Sequence, residues 1–205
     1  MGSDVLPNDL FGMSIAVEGD LALIGTAQQA NSTGAVYVFT RDPATGSWSE
    51  QTKLTGPEIG PNSRFGAAVG LDGGVALVAA ATHEIGVGVV FGFSYDESTG
   101  EWQAGPTLRP FDGGNPGTQF GTALHFGINE AWFGAPGAAE FEGRAYVMSR
   151  GPSGDWTGAS KLTGSELVPG DQFGRTLAVR DDIAALGVIG DDFDLGSVAI
   201  FERQG

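Results

Sequence analysis

The dipeptide Phe-Gly recurs at a nearly constant interval, and this period constrains the fold more than any other feature of the chain. Four of its occurrences, at Phe11, Phe65, Phe120 and Phe173, follow one another at spacings of 54, 55 and 53 residues, whereas the others, such as Phe91-Gly92, lie out of this register. A second marker, Gly-x-Trp, places Trp48, Trp102 and Trp156 54 residues apart. A third, Lys-Leu-Thr-Gly, begins at Lys53 and Lys161. Three independent markers with the same period are not expected by chance, so the chain contains four copies of one structural unit.

Each copy has the pattern of four short strands, A to D. Strand A follows Phe-Gly and alternates large with small residues, strand B is nearly all apolar, and strand C begins after a polar loop. We predict strand B over 21–26, 75–80, 131–135 and 183–188, and strand C over 35–41, 89–95, 144–150 and 197–203. Strand D carries the tryptophan. No segment has the 3.6-residue period of a helix, so we predict none.

Four short antiparallel strands with two apolar faces are typical of a β-propeller blade, because stacking against neighbouring sheets covers both faces. We therefore predict an all-β fold, a β-propeller built of four blades that repeat about every 54 residues. The blades cover 11–58, 65–110, 120–164 and 173–203 and form one domain over 1–205. The last blade lacks its outer strand D, which leaves 197–203 as an unpaired edge.

The same residues resemble the FG-GAP repeat of integrin alpha-subunit propellers and of many bacterial surface and secreted proteins. The resemblance covers 9–203 and rests on Phe-Gly, on Gly34-Ala35-Val36-Tyr37-Val38-Phe39 and on Phe133-Gly134-Ala135-Pro136. It implies a propeller whose B–C and D–A loops form the ligand-binding face. Together with the acidic composition it suggests an extracellular or cell-surface location, with a cytoplasmic one as the alternative.

The charge balance excludes whole classes of partner. Ten Lys and Arg residues stand against 25 Asp and Glu, a formal net charge of −15. This charge repels phosphate backbones and anionic lipid surfaces, and no apolar run reaches the roughly 18 residues of a membrane span. We predict no nucleic-acid partner and no membrane insertion.

Metal and catalytic sites are not indicated. The resemblance suggests a calcium site in the A–B hairpins. However, Glu18-Gly19-Asp20 and its counterparts are too short to bring together the 6–8 oxygen ligands that calcium needs. Asp191, Asp192 and Asp194 form a dense acidic cluster that we interpret as a solvated turn, with partial coordination of a cation as the alternative. With no cysteine and no recognisable catalytic set, we predict no cofactor and no enzymatic activity.

Several recurring or isolated residues are predicted to serve structure. Asp9, Ser63, Thr118 and Asp171 stand two residues before each Phe and offer an oxygen to a nearby backbone N–H. Trp48, Trp102, Trp156 and Trp132 are predicted in the core, with an exposed sugar-stacking set as the alternative for the first three. His125 replaces a small residue of strand A. We predict that it is a structural histidine with hydrogen-bond partners, near the propeller axis or between blades.

We predict a non-enzymatic binding or adhesion module that presents variable loops to a protein or glycan ligand. The B–C loops are 26–34, 80–88, 135–143 and 188–196, and the D–A loops are 56–64, 110–119 and 164–172. The candidate ligand-binding residues are Asn31, Arg64, His83, Glu84, Glu140, Phe141 and Asp191. The alternative is a structural segment that supplies blades or self-assembles without a ligand of its own.

Four blades, the last incomplete, leave open how the ring closes. The apolar outer faces of the first and last blades would favour association if nothing covered them. A head-to-tail homodimer with eight blades is slightly favoured. A four-bladed ring closed by one chain and a piece of a larger propeller are the alternatives.

Overall fold

The chain folds into four antiparallel sheets, which we call blades 1 to 4. The computed structural model describes residues 2–127, 129–164 and 166–203. Blade 1 contains β1 (Ser14–Glu18), β2 (Leu21–Thr26), β3 (Ala35–Arg41) and β4 (Trp48–Leu54). Blade 2 contains β5 (Phe65–Asp72), β6 (Val75–Ala80), β7 (Val89–Asp96) and β8 (Glu101–Leu108). Blade 3 contains β9 (Leu124–Gly127), β10 (Glu130–Ala135), β11 (Arg144–Arg150) and β12 (Trp156–Leu162), and blade 4 contains β13 (Phe173–Arg180), β14 (Ile183–Val188) and β15 (Ser197–Glu202).

The predicted fold class is confirmed: the protein is an all-β β-propeller with four blades, the last of them three-stranded. Within each sheet the strands follow one another in chain order. The predicted B and C strands agree with the observed ones to within one residue at each end. As predicted, the outer edge of β15 has no paired strand among the described residues.

The prediction that the chain contains no helix is wrong. A single helical turn follows strand B in every blade: α1 (Gln29–Ser32), α2 (His83–Gly86), α3 (Ala138–Phe141) and α4 (Asp191–Asp194). Four residues are too few to show a helical period in the sequence, which is why periodicity does not find them.

The residues divide into two compact units, and in each of them two sheets stack face to face. The first unit comprises Met1–Glu84 and Val89–Leu108, and the second comprises Ile85–Gly88 and Arg109–Gly205. In the first unit β5 packs across β1 and β2, and in the second β13 packs across β9 and β10. The core of each unit lies between its two sheets.

The Phe-Gly dipeptide marks the closest approach of the stacked sheets. Phe65 and Phe173 are fully buried, and their N–H groups donate to the carbonyls of Thr33 and Glu142 in the preceding blade, each at 2.9 Å. The glycines that follow, Gly66 and Gly174, have φ of 88° and 82°, a conformation that L side chains rarely adopt. The dipeptide therefore combines a core side chain with a backbone that only glycine accommodates easily.

A second glycine, in strand B of the preceding blade, faces each of these dipeptides. A Cβ atom added to Gly25 would lie 2.2 Å from the carbonyl oxygen of Gly66. In the second unit a Cβ added to Gly134 would lie 1.9 Å from the carbonyl oxygen of Gly174. The two sheets of each unit thus meet backbone to backbone at this point.

The predicted structural role of the polar residue two positions before each Phe is confirmed. Asp9, Ser63, Thr118 and Asp171 are all buried. Each side-chain oxygen accepts a hydrogen bond from the backbone N–H three residues earlier, at Leu6, Gly60, Asn115 and Val168, over 2.8, 3.3, 2.8 and 2.8 Å. These bonds fix the turn that leads into each blade.

The core prediction is right for Trp132, which is 8% exposed, and for Trp102, which packs against the core of the first unit. Trp48 is 44% exposed, and Trp102 and Trp156 are half-buried. These three tryptophans lie on strand D, which is the edge strand of each sheet, and all three are more exposed than Trp132. His125 lies on β9 opposite Trp132 and is half-buried.

Substituting Gly134 by alanine tests the contact between stacked sheets. The added Cβ would collide with a backbone oxygen, so Gly134→Ala should lower the free energy of unfolding in urea by about 3 kcal/mol. Gly60→Ala is the control, because a Cβ there meets nothing within 4 Å, and its effect should stay below about 0.5 kcal/mol. Equal effects of the two variants would contradict the close approach.

Candidate functional site

The helical turn after strand B has an unusual backbone conformation. In α1, Ala30, Asn31 and Ser32 have φ of 51°, 60° and 60°, and in α3, Ala139, Glu140 and Phe141 have φ of 49°, 56° and 67°. The corresponding Glu84 and Ile85 of α2 and Asp192 of α4 also have positive φ. Left-handed backbone costs a non-glycine residue about 1–2 kcal/mol, so this conformation has to be held by its surroundings.

Hydrogen bonds to the following D–A loop hold the turns in place. In the first unit the N–H groups of Asn62 and Arg64 donate to the carbonyls of Asn31 and Ser32, at 3.1 and 2.8 Å. In the second unit the N–H of Gln172 donates to the carbonyl of Phe141 at 2.7 Å. The backbone of each of these two turns is therefore fixed by the D–A loop that follows it, while its side chains take no part in these bonds.

The first unit brings together several predicted site residues. Asn31 and Arg64 lie on the two hydrogen-bonded segments just described, and both are exposed. His83 is half-buried: its Nδ1 lies 3.0 Å from the hydroxyl of Ser63, and its ring packs edge-on against Phe91. The side chain of Glu84 is exposed.

The second unit holds the remaining three predicted residues. Glu140 and Phe141 are adjacent on α3 and exposed, and Phe141 exposes 47% of its surface. Asp191 begins α4 and is half-buried. The side chain of Asp194 lies outside the described residues, so a cation at this cluster stays an alternative interpretation. Across the described ranges, no group of three or more His, Cys, Asp and Glu side chains is placed to hold a metal ion.

Sequence reasoning missed a charged cluster that occurs once in each unit. In the first unit Lys53 Nζ lies 2.7 Å from a carboxylate oxygen of Asp4, and the hydroxyl of Tyr37 donates to the other oxygen. In the second unit Asp112 accepts from Lys161 at 2.7 Å and from Tyr146 at 3.1 Å. Each cluster ties the segment before a blade to strands C and D of that blade.

The pKa values in these clusters follow from the contacts. Hydrogen bonds from Lys53 and then Tyr37 lower the pKa of Asp4 from 3.8 to about 2. Burial opposes ionisation of Asp112, but its bonds with Lys161 and Tyr146 outweigh burial and lower its pKa. Burial, followed by the charge of Asp112, raises the pKa of Tyr146. Both carboxylates are ionised and already hydrogen-bonded, which suits an anchor better than a general base.

A small polar cavity of about 190 Å³ lies beside α3 in the second unit. Asp112, Asn115, Tyr146 and Lys161 line it on the side of the charged cluster. In the first unit the position of Ala138 is taken by Gln29, whose Nε2 donates to the hydroxyl of Tyr37 at 2.8 Å. The smaller alanine leaves this space open next to the α3 turn.

A signal for the clusters is present in the sequence. Lys-Leu-Thr-Gly occurs in repeats 1 and 3 only, and the same two repeats carry Tyr37 and Tyr146 where repeat 2 has Phe91. Asp4 and Asp112 are separated by the same two repeat lengths. A position-by-position alignment of the four repeats identifies these Asp, Tyr and Lys residues, whereas the markers shared by the repeats do not.

Comparison with known protein families supports the fold and the repeat. The family model of the FG-GAP repeat matches residues 1–39 and 156–201. No curated protein sequence matches the chain. None of the helices in the described residues is long and apolar enough to cross a bilayer.

Two solved structures are similar in fold. A candidate 6-phosphogluconolactonase from Bacteroides uniformis aligns with 100% of this chain and 56% of its own, with a TM-score of 0.68 and 15% identity. Sqt1 from Saccharomyces cerevisiae aligns with 77% of this chain and 37% of its own, with a TM-score of 0.49 and 11% identity. The chain thus spans about half or less of either protein, and at 15% identity the first likeness shows the fold alone.

The Asp4 cluster predicts how stability depends on pH. Because the pKa of Asp4 is lower in the folded protein than its ordinary value, its carboxylate stabilises the fold above about pH 4, and this contribution is lost as the pH falls toward 2. The stability difference between the wild type and Asp4→Asn should therefore be constant from pH 5 to 7 and shrink below pH 4. Lys53→Met should remove most of this dependence. A difference that does not change with pH would contradict the ion pair.

Proposed function

Since this chain is an FG-GAP repeat β-propeller, we propose that it is a non-enzymatic binding or adhesion module whose B–C turns contact a protein ligand. One observation carries the proposal: non-glycine residues occupy left-handed backbone at the same place in all four blades. Glycine would adopt this conformation at no cost, so retaining side chains there costs stability in each blade. Strain retained at equivalent exposed sites suits a function that needs the side chains.

The chemistry of the exposed side chains favours a protein ligand. Phe141 is half exposed next to the carboxylate of Glu140, and Ile85 on α2 exposes 86% of its surface. Large apolar groups on a fixed backbone, with carboxylates beside them, complement an apolar hollow rimmed by Lys and Arg. The net charge of −15 would steer a basic partner toward the chain. A glycan ligand is the alternative, and an extracellular or cell-surface location is part of the proposal.

The contacts of the titratable groups support the absence of catalysis in this proposal. Asp4 and Asp112 are each held by a lysine and a tyrosine, and His83 is bonded to Ser63. The lactonase candidate shares only the fold, so its name does not carry an activity to this chain. The alternative is a purely structural set of blades that binds no ligand. The following experiment distinguishes it from the proposed binding module.

The experiment measures binding of the labelled chain to a glycan array and to a displayed peptide library. The double variant Glu140→Ala, Phe141→Ala should reduce binding of selected peptides at least about tenfold. Glu97→Ala with Ser98→Ala is the matched control, because these exposed residues lie in a C–D turn at the other end of a blade. Glycan signals lost with the same double variant would replace the protein ligand by a glycan. Binding that neither variant changes would contradict the proposal.

Replacing Glu140 by glycine separates backbone strain from function. Because glycine accepts φ of 56° freely, Glu140→Gly should raise the free energy of unfolding by about 1 kcal/mol while weakening ligand binding. Glu97→Gly should not raise stability, because Glu97 is not among the residues with positive φ. Urea unfolding and peptide binding measure the two effects, and a Glu140→Gly variant that is no more stable than the wild type would contradict the strain.

A further inference from the structure

The space beside the turn after strand B is filled by a side chain in the first unit and is open in the second. Gln29 begins α1 and is buried, and its Nε2 donates to the hydroxyl of Tyr37 at 2.8 Å and to the main-chain carbonyl of Asp4 at 3.3 Å. Ala138 begins α3 at the equivalent position, where the cavity of about 190 Å³ lies. We propose that this cavity binds a primary carboxamide group of a ligand, in the place that the Gln29 carboxamide occupies in the first unit.

The acceptors that Gln29 uses are repeated around the cavity. Tyr146 takes the place of Tyr37, and its hydroxyl lines the cavity together with Asp112, the counterpart of Asp4. The hydroxyl of Tyr146 donates to Asp112 at 3.1 Å, so its oxygen can still accept a hydrogen bond. An N–H of a bound carboxamide can therefore donate to Tyr146 as Gln29 donates to Tyr37.

The second unit also gains a donor for the carbonyl oxygen of a ligand. Arg144 begins β11 and lines the cavity, whereas β3 of the first unit begins with Ala35. The guanidinium of Arg144 donates to the carbonyl of Gly143 at 2.6 Å and to a carboxylate oxygen of Glu142 at 2.8 Å. These two bonds use two of its five N–H groups. The second unit therefore loses a carboxamide and gains a donor at the same place.

The combination of a strand-C tyrosine with a small residue at the start of the turn occurs in repeat 3 alone. Repeat 1 has the tyrosine but fills the space with Gln29. Repeat 2 has His83 at the start of the turn and Phe91 in place of the tyrosine, and repeat 4 has Asp191 and Ala199. The propeller fold thus does not itself require the cavity, which is what a binding site specific to one blade needs.

The charges around the cavity favour a neutral polar group. Lys161 donates to Asp112 at 2.7 Å, and these side chains are 37% and 33% exposed, so a ligand can reach the cavity from solvent. An anion would lie next to Asp112 and a cation next to Lys161 and Arg144, and either would lose part of its hydration. A carboxamide offers two N–H donors and one carbonyl acceptor without a net charge, so it can bond to both kinds of group.

Two sources can supply the carboxamide. Glu140 and Phe141 follow on the same turn, so a Gln or Asn side chain of a protein ligand bound there can enter the cavity. A small free amide is the other source. The first source rests on the proposed function, whereas the preference of the cavity for a carboxamide does not.

Titration with propionamide, followed by the NMR chemical shifts of the protein backbone amides, tests the site. Propionamide has the size and the functional group of a glutamine side chain. We expect saturable shifts at Ala138, Arg144 and Tyr146, with a dissociation constant on the order of 1–10 mM. N,N-dimethylpropionamide has no N–H donor and propionate carries a charge, so each should bind at least about tenfold more weakly.

Matched variants locate the binding. Ala138→Gln fills the cavity with the side chain that the first unit has there, and it should abolish the saturable shifts. Tyr146→Phe removes the acceptor hydroxyl and should weaken propionamide binding about three- to tenfold. Tyr95→Phe, which removes a hydroxyl from strand C of blade 2, is the control and should leave propionamide binding unchanged.

Two results would overturn the proposal. One is the absence of saturable shifts up to about 100 mM propionamide, which would mean that the cavity holds water alone. The other is a set of shifts that neither Ala138→Gln nor Tyr146→Phe changes.

Peptides selected for binding to the α3 turn distinguish the two sources. Loss of their binding when a Gln or Asn is replaced by Glu or Asp assigns the carboxamide to a protein ligand. Saturable propionamide binding without any such peptide assigns it to a small free amide. The propionamide titration needs no peptide, so failure of the cavity site and failure of the proposed function give different results.

Discussion

The structure depends on the backbone contact between a strand-B glycine and the Phe-Gly of the next blade. At Gly134 and Gly174, and again at Gly25 and Gly66, no Cβ fits between the sheets. This approach buries Phe65 and Phe173. It also brings the amide groups of the D–A loop within hydrogen-bond distance of the turn after strand B. One steric requirement thus explains the repeat marker, the core of each unit and the placement of the loops.

The same contact is what allows the turns to hold an unfavourable conformation. Three consecutive left-handed residues, as at Ala139–Phe141, would not persist in an isolated loop. Here backbone N–H groups of the following D–A loop donate to carbonyls of the turn, to Phe141 in α3 and to Asn31 and Ser32 in α1, and hold the backbone in place while the side chains vary from blade to blade. The charged clusters around Asp4 and Asp112 also stabilise this arrangement, because they fix the segments that lead into blades 1 and 3.

The sequence was sufficient for features that repeat and insufficient for features that differ between repeats. The period, strands B and C and the buried Asp9, Ser63, Thr118 and Asp171 were predicted because each recurs in four copies. The left-handed turns were missed because Ala30-Asn31 and Glu140-Phe141 carry none of the glycines that usually mark such backbone. The exposure of Trp48 depends on its edge position, and the Asp4 cluster joins residues 49 positions apart, which no local pattern shows.

Native-state hydrogen exchange of two amides tests the central contact most directly. The N–H groups of Phe65 and Phe173 donate to the carbonyls of Thr33 and Glu142 in the preceding sheet. If the sheets are locked together there, both amides should exchange only by global unfolding, as slowly as those in the centres of β6 and β14. Exchange of Phe65 and Phe173 at the rate of exposed loop amides, in a protein whose strand-B amides stay protected, would contradict the account.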